Sequence, residues 1–232
     1  MSTVYLVRHG QASFGAADYD ALSPIGIEQS RTLGSWMASC GLKMDHALVG
    51  EQQRHTQTAE HCWNAFKSES QRASKVVAGF SEFDHVEILH HFRPDLAGQA
   101  ALSEWLSRTE NPRREFQKVF AQAFARWVEG KHDGYSQSFV SFRARCWQAL
   151  LDQLNSTSSS DVIWIFTSAG PISAIVQEAL AISNERIPEL TWLLVNTGIT
   201  KLLCREDSVR VATLNQYAHL EQANRSEWIT YR

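Results

Sequence analysis

Four short stretches of the 232-residue chain carry side chains suited to handling an anion: Arg8-His9-Gly10, Arg54, Ser81-Glu82 and Ser168-Ala169-Gly170. A phosphate monoester is a dianion near neutral pH. Cleaving it takes cationic donors around the equatorial oxygens and a nucleophile in line with the leaving oxygen. Arginine meets the first need, because its planar fork binds two oxygens and stays charged. Neutral imidazole meets the second: one ring nitrogen attacks while the other donates a hydrogen bond that fixes the ring. Arg8-His9-Gly10 has the residue types for a phosphate site with His9 as the nucleophile. The tripeptide alone is also compatible with an ordinary strand end, so the surrounding elements carry the argument.

Residues 3–7 (TVYLV) are continuously apolar and β-rich, as in a strand buried on both faces. Similar runs predict strands at 46–49, 75–80 and 162–167, with further strands near 191–195, 199–204 and 209–214 closing the sheet. Helices fall between them. One starts after Ser23 as N-cap with Pro24 at its first position, and Gly41 ends it. A second begins near Glu51 or Gln52, a third covers about 138–154, and a fourth follows the turn at 168–171. Residues 98–131 hold two helical patterns and no strand; Asn111 and Pro112 open the second, and Phe116, Val119, Phe120, Ala123 and Trp127 share one apolar face. The expected fold is one α/β domain over 1–232: three layers, a mostly parallel sheet covered by helices, and a helical insertion at about 98–131. Open α/β sheets bind ligands beyond the carboxyl ends of their strands. Arg8-His9, Ser81-Glu82 and Ser168-Ala169-Gly170 all fall there, and Arg54 lies in the first turn of the helix after the second strand.

The composition narrows the partners. A formal net charge of -3 gives no strongly basic surface, so no nucleic-acid partner is expected. Arg108, Arg113 and Arg114 in the insertion read as a solvated face. No apolar run approaches the roughly 18 residues of a membrane span. Cys40, Cys62, Cys146 and Cys204 form no C-x-x-C pair, and the opening MSTVYLVRHG lacks signal-peptide features. A cytoplasmic protein with reduced thiols is the expectation. No H-x-x-x-H or paired-carboxylate spacing suggests a metal or other cofactor. Oligomeric state is not legible in the sequence.

Taken in order, the segments resemble the histidine phosphatase superfamily, the phosphoglycerate-mutase-like fold. VYLVRHGQAS with YDALSPIGIEQSRTLGSWM resembles its opening; EQQRHTQTAE (51–60), FSEFDH (80–85), VIWIFTSAGPISAIV (162–176) and NTGITKL (196–202) resemble later segments. The resemblance spans roughly residues 3–220, and the ordered set is specific where no single segment is. It implies that His9 attacks phosphorus to form a phosphohistidine and that Arg8 and Arg54 hold the phosphoryl oxygens. Glu82 would protonate the departing alkoxide and then help to activate water. The ligand would be a small phosphorylated substrate or inorganic phosphate.

The chain departs from the family pattern at a second histidine, whose position is occupied by Ala169. Loss of one such donor commonly costs on the order of 10²- to 10³-fold in rate. The backbone N–H groups near Ala169 and Gly170 open a helix and still favour an anion. Ala12 and Gly15 also differ from mutase-type members, which speaks against a phosphoglycerate mutase. His85, close to Glu82, is the first candidate to refill the gap, followed by His55, His90, His91 and His219. The expectation is thus a phosphomonoesterase of the histidine acid phosphatase type. The alternatives are a weakly active or inactive relative that binds a phosphorylated ligand, and a mutase.

Overall fold

The computed structural model describes residues 1–13, 20–66, 74–205 and 208–231. Gly15, one of the departures from the mutase pattern, lies outside the described residues.

The chain starts with β1 (Ser2–Arg8), α1 (Pro24–Ser39), β2 (His46–Val49), α2 (Gln53–Phe66) and β3 (Lys75–Val76). Helices α3 (His85–Phe92), α4 (Gln99–Ser107), α5 (Pro112–Glu129) and α6 (Phe139–Asn155) follow. Then come β4 (Val162–Thr167), α7 (Ala169–Leu180), α8 (Ile187–Leu193), β5 (Ile199–Arg205), β6 (Ser208–Gln216) and α9 (Ala218–Gln222). The strands form one sheet in the order β3-β2-β4-β1-β5-β6. β4 pairs in parallel with β1 and β2, and Ile165 sits opposite Leu6 on one side and Leu48 on the other. β3 joins β2 in parallel, while β5 and β6 run antiparallel. The sheet is therefore mixed, with its parallel part at the strands that carry Arg8 and Ser168.

Central strands are apolar throughout because both of their faces are covered. On β4, Ile163 and Ile165 belong to a core with Phe83, Phe124, Trp127 and Phe142, while Trp164 and Phe166 belong to another with Leu33, Met37 and Cys62. The first core packs α5, α6 and α7 on one face, and the second packs α1 and α2 on the other, giving three layers. Among the described residues, no helix is long and apolar enough to cross a membrane.

The expected caps form. Ser23 Oγ accepts from the Gly26 N–H at 3.1 Å ahead of Pro24, and Asn111 Oδ1 accepts from the Arg114 N–H at 3.1 Å. Gly41 follows α1 in the left-handed conformation, with φ +61°. A close approach fixes the turn after β1: a Cβ on Gly10 would lie 2.4 Å from the Gly26 carbonyl oxygen.

Two expected strands differ. Residues 75–80 hold only a two-residue strand before a 3₁₀ turn at Ala78–Phe80. The run near 191–195 is not a strand: Ile187–Leu193 forms α8, with Pro188 in its first turn. A short apolar run reads alike as buried strand or buried helix, and here the proline decides.

Candidate active site

The carboxyl ends of β1 and β4, the loop after β3 and the first turn of α2 meet at one edge of the sheet. They bring Arg8, His9, Arg54, Glu82 and Ala169 into the wall of one pocket. Gly170 stands beside Glu82, to whose Oε2 its N–H donates at 3.4 Å.

His9 is 8% exposed, and its Nδ1 lies 2.7 Å from the Gly10 carbonyl oxygen. A carbonyl only accepts, so Nδ1 carries the proton and Nε2 the lone pair. Arg54 Nε donates to that Nε2 at 3.2 Å. Burial holds the His9 pKa well below the ordinary histidine value, and the charges of Arg54 and Arg8 push the same way. The ring is thus neutral, with its lone pair on the atom that faces the arginine.

Each end of the Arg54 guanidinium is tied. Nη1 donates to Asp20 Oδ1 at 2.5 Å, and Nη2 faces Ser168 Oγ at 3.5 Å. Asp20 also accepts from the Gln53 N–H at 2.7 Å, so it clamps the start of α2 and the arginine together. Arg8 reaches across the sheet edge, where its Nη1 donates to the Leu194 carbonyl and, at 2.5 Å, to the Tyr231 carbonyl.

The backbone of His9 is held from the side of β5. Asn196 Nδ2 donates to the His9 carbonyl at 2.9 Å, and Thr230 Oγ1 donates to Asn196 Oδ1 at 3.0 Å. The Thr197 N–H bonds the Arg8 carbonyl at 2.9 Å, and Thr197 itself adopts φ +58°, a left-handed conformation costly for a β-branched residue. Its hydroxyl lies 2.9 Å from Nε2 of the buried His219.

Glu82 is only partly exposed, and burial pushes its carboxyl above the ordinary range; Arg54 and the N–H groups of Phe83 and Gly170 pull it back only in part. The outer pocket is aromatic. Phe116 and Phe120 of α5 stack in parallel planes with centroids 6.0 Å apart, and Trp192 of α8 meets Phe120 edge-on at 6.0 Å. His85 and Arg113 line the same pocket. His85, the first candidate to stand in for the family's second histidine, lies on the pocket wall against Phe120. His55 lies instead behind Arg54, fully buried, with its ring centroid 5.6 Å from that of His9. His90 accepts from the Gly98 N–H and His91 packs on Tyr135, both outside the pocket lining.

Asp20, Asn196 and Ser168 were not singled out for the roles they take here. Asp20 lies eleven residues after His9 and Asn196 far along the chain, both outside the regular elements, where spacing gives no signal. His55 had one: it falls in phase with Ala59 and Cys62 on the inner face of α2.

Comparison with known proteins fits this arrangement. The profile of the histidine phosphatase superfamily (branch 1) matches residues 4–111 and 64–217, so the chain belongs to that superfamily. Among solved structures, a phosphoserine phosphatase variant from Entamoeba histolytica in complex with phosphoserine is 19% identical, with a TM-score of 0.66 over 95% of this chain and 100% of its own. Bacillus stearothermophilus YhfR is 15% identical, with a TM-score of 0.68 over 95% of this chain and 100% of its own. A mycobacterial glucosyl-3-phosphoglycerate phosphatase is 15% identical, with a TM-score of 0.61 over 92% and 98%. At these identities the likeness establishes the phosphoglycerate-mutase-like fold. No curated protein matches the sequence.

Proposed function

We propose that the protein is a phosphatase that hydrolyses a phosphate monoester through a phosphohistidine on His9. The observation that carries this reading is the neutral His9, whose unprotonated Nε2 is held within hydrogen-bond reach of Arg54 in a pocket that also contains Arg8 and a carboxyl with a raised pKa. In the first step the Nε2 lone pair forms a bond to phosphorus while the bond to the ester oxygen breaks. Glu82 gives its proton to the departing oxygen, and the alcohol leaves. In the second step water attacks phosphorus, the Glu82 carboxylate takes the water proton, and the P–N bond breaks to free His9 and inorganic phosphate. Arg8 and Arg54 neutralise the equatorial oxygens throughout.

The aromatic outer wall of Phe116, Phe120 and Trp192 favours an ester whose alcohol is apolar or aromatic. A cytoplasmic setting, in which the four thiols stay reduced, is part of the same proposal. Ala169 favours a second reading: it lines the pocket without a side-chain donor, where the resemblance puts the family's second histidine. On that reading the chain binds a phosphorylated ligand with little turnover.

Hydrolysis of an aryl phosphate between pH 5 and 8, by the native protein and by His9→Ala, decides between them. Activity that disappears in the variant supports the phosphohistidine. Phosphate binding without turnover in either protein supports the binding reading, and equal activity in both removes His9 as nucleophile.

A further inference from the structure

Ser168 is the N-cap residue of α7, yet its side chain makes no capping bond. A serine at this position normally accepts from an N–H of the first turn, worth roughly 1 kcal/mol to the helix. The hydroxyl is engaged elsewhere: His55 Nε2 lies 2.7 Å from it, and Arg54 Nη2 donates to it at 3.5 Å. Both Ser168 and His55 are 0% exposed.

The donor inventory orders these contacts. A guanidinium only donates, so Ser168 Oγ accepts from Arg54. The hydroxyl proton is then available to the other neighbour, and His55 Nε2 accepts it through its lone pair. That requires a neutral ring with its proton on Nδ1, the edge that faces the Gly50 backbone. Burial and the adjacent Arg54 charge hold the His55 pKa well below the ordinary value, in agreement with a neutral ring. The three nitrogens of Arg54 are thus assigned to His9, Asp20 and Ser168.

We propose that His55 is a positioning residue for phosphoryl transfer: by accepting the Ser168 hydroxyl proton it fixes the serine oxygen against Arg54, and so holds the guanidinium toward His9 Nε2. The inference rests on the phosphohistidine reading of His9. His55 is absent from the pocket wall and acts through Ser168. His55 thus brings an imidazole to this edge of the sheet from α2, behind Arg54.

The test is steady-state hydrolysis of an aryl phosphate, with inorganic phosphate as competitive inhibitor. It compares the native protein with Ser168→Ala, His55→Phe, His55→Gln and the Ser168→Ala/His55→Phe pair. Ser168→Ala and His55→Phe each lower kcat about ten- to hundredfold, the scale of a misplaced catalytic contact, and weaken inhibition by phosphate. A smaller folded fraction would lower kcat and leave the inhibition constant unchanged. The double variant is no worse than His55→Phe alone, because both break one chain of contacts. His55→Gln, whose side-chain oxygen accepts from Ser168, recovers part of the loss. Native rates in Ser168→Ala, or losses that multiply in the double variant, overturn the proposal. Ser168→Ala decides alone where His55→Phe does not fold. Activity that persists in His9→Ala defeats the phosphohistidine reading, an outcome separate from the behaviour of the Ser168 and His55 variants.

Discussion

Glu82 and Gly170 fit together only because position 170 has no side chain: a Cβ there would lie 2.1 Å from Glu82 Oε1 and 2.8 Å from the Phe83 ring. The carboxylate fills that space and accepts the Gly170 N–H in the first turn of α7, the role that Ser168 gives up. Gly170→Ala therefore displaces the proposed proton donor. We expect a loss in kcat of about 10²-fold, the cost of roughly 1 Å of misplacement. Circular dichroism should show the fold retained. Native kcat in this variant would mean that the position of Glu82 does not limit the reaction.

The two titrating groups set the pH profile. On the proposed mechanism His9 attacks only when neutral, and its lowered pKa keeps it neutral through mildly acidic pH. On the same mechanism Glu82 donates only when protonated, and its raised pKa extends that form upward from the ordinary carboxyl range. Activity should therefore be highest on the acid side of neutrality and fall as pH rises past the Glu82 pKa. In Glu82→Gln the rate drops by roughly 10²- to 10⁴-fold and the alkaline limb disappears. Persistence of that limb would assign it to another group.

Substrate choice is expected to follow the aromatic wall. Phe120→Ala and Trp192→Ala each remove contacts worth about 1–2 kcal/mol to an aryl alcohol, a five- to thirtyfold rise in KM for naphthyl phosphate. Ethyl phosphate, which has little apolar surface to set against the wall, should be much less affected. A uniform change in both substrates would count against the wall as a specificity element.

His219 carries a stability prediction. Burial lowers its pKa to about 3, against an ordinary 6.5. The unfolded chain then binds the proton that the folded chain refuses. The stability contribution is full above pH 6.5 and is lost as pH falls toward 3. Between pH 7.5 and 5.5 the protein loses about 1 kcal/mol through this group. Urea unfolding of His219→Gln should lack that part of the acid dependence. An unchanged slope would place the effect in other groups, such as His9 or His55.

Much of the site was legible because its residues lie where the pattern of elements changes. Arg8 and His9 end an apolar strand, Arg54 opens a helix and Glu82 follows a short strand. The segment NTGITKL marks Asn196 and Thr197 by resemblance, but the left-handed turn and the bridge to His9 were not legible, because each depends on contacts with residues far along the chain. Proximity to Glu82 made His85 the natural substitute for a missing imidazole. The helical turn instead sets His55 about 100° round from Arg54, toward the end of β4. The misread α8 shows the limit of apolar runs: TWLLV suits a buried strand or a buried helix equally, and only its neighbours decide.

The bonds from Tyr231 to Arg8 and from Thr230 through Asn196 to His9 also bear on the order of events during synthesis. Arg8 and His9 are translated long before Thr230 and Tyr231, which brace them. A nascent chain whose residues 230 and 231 are still inside the ribosome has His9 but not the clasp that seats it. The central strands can fold before that point, whereas the seated site has to wait until residues 230 and 231 emerge.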